Sequence, residues 1–108
     1  MQFKTVYYDS NKLIKDPEEL KSFKESISDK NVLYLFFKDN ECFYIGETGS
    51  TLKARCYTHS PKHHEKEWFK KCNTIKIILL DDNIDTIARG ALESAFILAY
   101  RPKYNKKA

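Results

Sequence analysis

Two features of this chain have the residue types and spacing for chemistry. The first is Glu93, the only acid between Asp85 and the C-terminus, with neighbours from Gly90 to Tyr100 that are almost entirely apolar or small. A carboxylate in that setting borders the core, where an unpaired charge is costly, so it requires a cationic partner. Two readings stay open. One is an i, i+4 ion pair with Arg89, in the weaker orientation with the cation N-terminal; the other is a metal ligand or catalytic acid. The second feature is Tyr44-Ile45-Gly46-Glu47-Thr48, followed by Leu52, Arg55 and His59. Gly46 ends a strand where backbone can approach a ligand, and the helix that follows brings its N-terminal amides nearby. Arg55 and His59 lie four apart, so one helical face presents both if the helix continues to Pro61. Arginine matches a phosphate through two parallel hydrogen bonds, and histidine exchanges a proton near neutral pH. Taken singly, such an arginine is more often a solvated charge and such a histidine more often a satisfied surface residue.

The elements that must position these residues are legible in outline. Val32 to Phe37 and Cys42 to Ile45 are apolar runs separated by Lys38-Asp39-Asn40-Glu41, the pattern of a β-hairpin. A three-residue loop, Lys38 to Asn40 with Asn40 left-handed, sets Tyr34 opposite Tyr44 and puts both phenols on one face; a four-residue loop sets Tyr34 opposite Ile45 and separates them. Thr51 to Tyr57 suits a short helix capped by Ser50 or Thr51, with Leu52 and Cys56 spaced for burial. Ser60-Pro61 interrupts it. Lys62 to Lys71 then reads as a helix, with Trp68 and Phe69 on its apolar side and Lys62, Lys66 and Lys70 in a basic row. Thr74 to Leu80 is a third strand of this unit. Ile84 to Tyr100 is the strongest helical pattern, with Ile84, Ala88, Ala91, Leu92, Ala95 and Ala99 on one face, and Pro102 stops it. Ahead of this unit, Phe3 to Tyr8 reads as a strand and Asp9-Ser10-Asn11 as a turn. Asp16-Pro17-Glu18-Glu19 opens a helix whose apolar stripe is Leu20, Phe23 and Ile27.

A length of 108 residues fits one domain and excludes two independent cores. We divide the chain into an N-terminal strand-helix extension, residues 1–30, packed on a core of residues 31–108. The aromatic content of 14% gives a core too heavy in large rings for a disordered chain. Cys42, Cys56 and Cys72 form an odd set with no C-x-x-C pair, which argues against a disulfide framework and for a reducing, cytoplasmic setting. The sequence has neither a signal peptide nor an apolar run long enough to span a bilayer, so no membrane association is expected. The 19 Lys and Arg against 15 Asp and Glu leave only +4, which permits a polyanionic partner. The distribution says more. Lys53, Arg55, Lys62, Lys66, Lys70, Lys71 and Lys76 gather in the middle, and Arg101, Lys103, Lys106 and Lys107 crowd the tail.

Together these residues resemble the GIY-YIG nuclease family. The resemblance rests on Val32-Leu33-Tyr34 about ten residues before Tyr44-Ile45-Gly46, then Glu47-Thr48, Leu52, Arg55 and His59, then Arg89 with Glu93 on a late helix, and Pro102 with Tyr104-Asn105. It covers Asn31 to Asn105. Val32 stands where the family has its first Gly and Leu33 where it has Ile, apolar exchanges in a strand; the segment before Asn31 is no part of the minimal family core. The resemblance implies an α+β fold, a small three-stranded antiparallel sheet flanked by helices, and metal-dependent cleavage of DNA. By the same likeness Tyr34 and Tyr44 flank the scissile phosphate, one of them positioning or deprotonating the attacking water. Arg55 holds the phosphate. His59 matches a position that carries a proton-handling histidine in some members, Glu93 is the protein ligand for Mg²⁺ or Mn²⁺, and Asn105 braces the site or contacts phosphate. Lys53, Arg55, Lys62, Lys66 and Lys70 form the expected DNA-binding surface.

A phenol with its usual pKa near ~10 is a poor base at neutral pH, so a tyrosine in that role needs positive charge nearby. Three rival readings belong to other classes: Tyr34 and Tyr44 as plain cross-strand aromatics, a non-catalytic DNA-binding module, or a protein-binding domain. Zinc on Cys56, His59, His63, His64 and Cys72 fits no familiar finger spacing.

Overall fold

Strand β2 (Lys30–Lys38) and strand β3 (Glu41–Thr51) form the hairpin around which the rest of the chain is laid. The structure is a computed structural model and describes residues 2–105; Lys106 and Lys107 of the basic tail lie outside the described residues. The hairpin loop is Asp39-Asn40, shorter than either length weighed above, and Asp39 rather than Asn40 takes the left-handed backbone, at φ 54°. Lys38 pairs with Glu41, Phe37 with Cys42 and Phe36 with Tyr44, so the register slips by one residue at Phe43. That bulge corrects the expected pairing, because Tyr34 faces Gly46 and neither Tyr44 nor Ile45. Tyr34 and Phe36 still share a face by strand alternation, and Tyr44 opposite Phe36 joins them.

The sheet has four strands where three were expected. β4 (Thr74–Leu79) runs antiparallel to β2, and β1 (Gln2–Tyr7) pairs antiparallel along the other side of β4, giving the order β1-β4-β2-β3. β1 covers an edge that β4 would otherwise leave open. Behind it, Asp9-Ser10-Asn11 do not make a turn. Asp9 accepts the Asn11 N–H at 2.9 Å and caps a short helix, α1 (Ser10–Lys15). Asp16 then caps α2 (Pro17–Ser26), accepting from Glu18 and Glu19, with Pro17 at the first position, where it lacks no bond.

One face of the sheet carries Val6, Tyr34, Phe36, Ile75 and Ile77 and is covered by α2 through Phe23, by α3 (Leu52–Tyr57) through Leu52 and Cys56, and by α4 (Glu67–Lys71) through Trp68 and Phe69. The residues expected to form one helix, 62–71, are split. His63–Glu65 is a single 3-10 turn, Lys66 is extended at ψ 145°, and α4 begins at Glu67. Five residues along a continuous helix stand about 140° apart, so His63 and Trp68 would face different ways. The extended Lys66 lets both turn inward, and it also breaks the basic row of Lys62, Lys66 and Lys70 as a helical stripe.

The opposite face, Leu33, Leu35, Phe37, Ile45 and Ile78, is covered by α5 (Thr86–Tyr100) through Leu92, Phe96 and Ile97. Ala91, Ala95 and Ala99, expected on the buried face, are exposed. Turning the helix to bury the larger side chains removes more apolar surface from water than three methyl groups can. Asp85 caps α5 by accepting from Ala88 at 2.9 Å, and Arg101 ends it in the left-handed region at φ 49°. Among the described residues, no helix is long and apolar enough to cross a membrane.

The Tyr34 ring lies on Gly46, so a Cβ added there would come within 2.5 Å of the phenol carbon Cζ. Replacement Gly46→Ala is therefore expected to lower unfolding free energy by roughly 1–3 kcal/mol, the usual cost of overpacking a tight core site. Denaturant unfolding measures it, and an unchanged midpoint would contradict the packing described.

Candidate active site

The open side of β3 is where the chemistry-bearing residues meet. Tyr34 is fully buried, and its hydroxyl oxygen lies 2.9 Å from His63 Nε2. Tyr44 is half-buried and stacks on Trp68, with ring centroids 4.3 Å apart and planes within 7°, while His63 packs edge-on against its ring at 5.2 Å. The bulge, the split of the 62–71 segment and the Trp68 stack thus hold both phenols from three sides. None of these three is visible in local sequence pattern.

Arg55 comes from α3. Thr51 caps that helix by accepting the Ala54 N–H at 3.0 Å, and Leu52 and Cys56 anchor its inner face, which leaves Arg55 at the flank nearest β3. Its guanidinium lies beside both phenols. Burial raises the pKa of each tyrosine, and the Arg55 charge opposes that rise without reversing it. Both phenols are therefore protonated at neutral pH and act as hydrogen-bonding groups.

Glu93 does not pair with Arg89. The Arg89 side chain is buried and spends its donors elsewhere, on Glu47 Oε1 at 2.8 Å, Asn31 Oδ1 at 2.9 Å and Thr86 Oγ1 at 3.2 Å. The geometry is forced, since Glu47 points from the strand face that α5 covers, and its carboxylate meets the guanidinium directly. Glu93 is left half-buried, with no ion pair among the described residues. Burial, and then the neighbouring Glu47 carboxylate, raise its pKa, with Arg55 pulling the other way. Two carboxylates near each other, one of them unpaired, make a locus that a cation would relieve. Among the described residues, no three His, Cys, Asp or Glu side chains converge, so a cation at Glu93 would take one carboxylate from this chain and its remaining oxygens from water and substrate. That donor set fits Mg²⁺ or Mn²⁺ and does not fit zinc.

Asn105 is a brace. Its side-chain amide accepts from Ile45 N–H and donates to Ile45 C=O, both at 2.9 Å, closing the free edge of β3 as another strand would. His59 is exposed beyond the end of α3. Of the expected DNA-binding residues, Lys53, Lys66 and Lys70 are exposed and Lys62 is half-exposed; Lys53 lies beside α2 and Lys70 beside α1. The site therefore brings together Tyr34, Tyr44, Arg55 and Glu93. It adds Glu47, His63 and Trp68, to which the sequence assigned no part in the site; the cues were that Glu47 lies within the motif stretch and that Trp68 is the sole tryptophan.

His63 is 3% exposed, and burial, with Arg55 and Lys66 nearby, lowers its pKa to about 4. The unfolded chain binds a proton there below about pH 6.5 while the folded chain stays neutral to about pH 4. Stability from this group is thus full above pH 6.5 and lost as pH falls toward 4, a decline of about 3 kcal/mol. Unfolding free energies measured across that window should flatten in His63→Gln, and an unchanged slope would contradict the burial.

Comparison with known proteins agrees with the fold. The family model described as the GIY-YIG catalytic domain matches residues 30–105. UvrABC system protein C from Fervidobacterium nodosum is 32% identical over 83 residues, covering 75% of this chain; the chain spans 14% of that protein's length. The magnesium-bound GIY-YIG N-terminal endonuclease domain of UvrC from Thermotoga maritima superposes with a TM-score of 0.62 at 20% identity, covering 82% of this chain and 97% of that one. A point mutant of the same domain, bound to the catalytic divalent cation, superposes at 0.64 with 16% identity, covering 83% and 98%. With the model spanning most of its length and carrying the two tyrosines, Arg55 and Glu93 within the match, the chain belongs to the GIY-YIG catalytic domain family.

Proposed function

We propose that this chain is a divalent-metal-dependent endonuclease that hydrolyses DNA phosphodiester bonds. The observation that carries the reading is the convergence of Tyr34, Tyr44, Arg55 and an unpaired Glu93 at one edge of the sheet. Arg55 binds the scissile phosphate and offsets charge that grows on its oxygens as the water attacks phosphorus and the P–O bond breaks. Tyr44 is the more accessible phenol, so it orients the attacking water by hydrogen bonding and, being protonated, does not act as the base. Tyr34 is enclosed and supports Arg55 from behind. Glu93 holds Mg²⁺ or Mn²⁺, and a divalent cation so held supplies Lewis-acid polarisation of a phosphoryl oxygen. Asn105 keeps β3 straight beneath these groups. Lys53, Lys62, Lys66 and Lys70, exposed or half-exposed, meet the flanking backbone phosphates. His59, exposed beyond the end of α3, takes the proton that the attacking water gives up, and solvent returns a proton to the departing oxygen.

Plasmid and branched DNA incubated with purified protein in Mg²⁺ or Mn²⁺ should be nicked. Arg55→Ala and Glu93→Gln should each lose roughly 100-fold or more, the scale of removing one electrostatic contact to the transition state. Equal nicking by wild type and both variants would mark a contaminant. Salt-sensitive DNA binding with no cleavage in either metal would favour the non-catalytic binding module, and no DNA affinity at low salt would favour a protein-binding domain.

Metal binding gives a second check. Glu93 must be ionised to bind a cation, and its pKa is raised by burial and by Glu47. Affinity should therefore fall as pH is lowered, with a midpoint above the ordinary carboxylate value of 4.5. Titration calorimetry with Mn²⁺ across pH 4 to 7 reads this. A midpoint at or below the ordinary value would contradict the assignment.

A further inference from the structure

Behind the tyrosines, Tyr34 is paired with a buried residue that the proposed chemistry has not used. His63 and Tyr34 are almost completely enclosed, and Nε2 to hydroxyl is 2.9 Å. The Arg55 guanidinium lies beside the same phenol and has only donors to offer. If Nε2 also carried a proton, the Tyr34 oxygen would meet donors from both residues, and its own hydrogen would have no acceptor in a dry site. The hydroxyl must therefore donate, and among the described residues its partner is His63 Nε2. The imidazole is consequently neutral, with its proton on Nδ1, an atom that is itself buried without a hydrogen-bond partner. Burial and the nearby Arg55 and Lys66 charges favour that neutral form.

We propose that His63 is a positioning residue of the active site: its Nε2 takes the Tyr34 hydroxyl hydrogen and so turns the lone pairs of the phenol oxygen toward Arg55. His63 touches no substrate. Its effect passes through Tyr34 to the guanidinium that binds phosphate, whose Nε is also buried and unpartnered among the described residues. A purely structural histidine, filling space against Tyr44 and Trp68, would need no particular tautomer and no link to Tyr34.

The activity part of the test rests on the nuclease reading; the spectroscopic part does not. In wild type, ¹⁵N NMR of the imidazole at pH 7 should show the proton on Nδ1 and a hydrogen-bonded Nε2, and Tyr34→Phe should move the Nε2 resonance toward that of an unbonded acceptor. A proton on Nε2, or no response to Tyr34→Phe, would overturn the proposal whether or not the protein cleaves DNA. On plasmid DNA, His63→Leu should lower kcat roughly tenfold or more with little change in KM. His63→Gln, which places an amide oxygen near the Nε2 position, should recover the larger part of that loss. In a Tyr34→Phe background the same His63→Leu change should cost almost nothing further, because the path through the hydroxyl is already cut. Equal losses in Leu and Gln, or fully additive losses in the double variant, would reduce His63 to a packing residue. Should His63→Leu fail to fold, the wild-type and Tyr34→Phe spectra decide alone. A wild type without cleavage but with the expected spectra would reject the nuclease reading and leave the buried geometry standing.

Discussion

Arg89 carries a full positive charge into the interface between helix and sheet, and satisfying it governs where everything around the site can stand. A buried guanidinium without a carboxylate would be strongly destabilising, and Glu47 on β3 is the carboxylate that reaches it. Asn31 and Thr86 take two more of its donors. Asn31 does so from a left-handed backbone, at φ 59°, and its amide nitrogen also holds the Asp81 carbonyl at 2.8 Å. The start of β2, the middle of β3, the end of β4 and the first turn of α5 are thus tied at one point. Gly49 belongs to the same constraint, since a Cβ there would come within 3.1 Å of the Arg89 guanidinium carbon.

That tie sets the rotation of α5. With Arg89 directed at Glu47, Leu92, Phe96 and Ile97 fall on the sheet, and Glu93, one turn after Arg89, emerges at the β3 edge. The ion pair that would have neutralised Glu93 is used up on Glu47, which leaves one carboxylate without a counter-charge beside the guanidinium of Arg55. An isolated half-buried acid is a cost to the fold. It is also the condition under which a divalent cation binds with the help of a single protein ligand. The aromatic side of the site follows a similar logic. Gly46 gives up its side chain so that Tyr34 can lie flat on β3, and the break in helix at Lys66 lets His63 and Trp68 close over both phenols. The two halves of the site are built on opposite faces of one strand, with Arg55 between them.

Much of this architecture was legible from local pattern. The caps at Asp16 and Thr51, the hairpin, the β4 strand and the late helix stopped before Pro102 depend on neighbours within a few residues, where propensity and hydrogen-bonding chemistry act directly. The motif residues Tyr34, Tyr44, Arg55 and Glu93 were named because their types and order are unusual together. Local pattern failed where the deciding contact was distant. The helix expected over 62–71 lost to the burial of two aromatic rings against β3, 20 or so residues away in sequence. The hairpin register depended on a bulge that lets Phe43 and Tyr44 both serve one core. The apolar face of α5 was misplaced because alanine periodicity outweighed the larger rings and branched chains in the pattern, while in the folded chain buried area decides.

What the amino-acid order determined by itself was the set of elements and the chemistry available to them: two phenols on a hairpin, a guanidinium one turn into a capped helix, and a carboxylate in an apolar one. Which of these charges would neutralise one another was decided only by tertiary structure. Arg89 could meet Glu93 along its own helix or Glu47 across the sheet, and the two differ by contacts that local spacing does not encode. Packing chose Glu47, because a buried guanidinium gains more from a carboxylate and an amide fixed on rigid strands than from a flexible neighbour on its own helix. The free carboxylate at the β3 edge is a product of that choice.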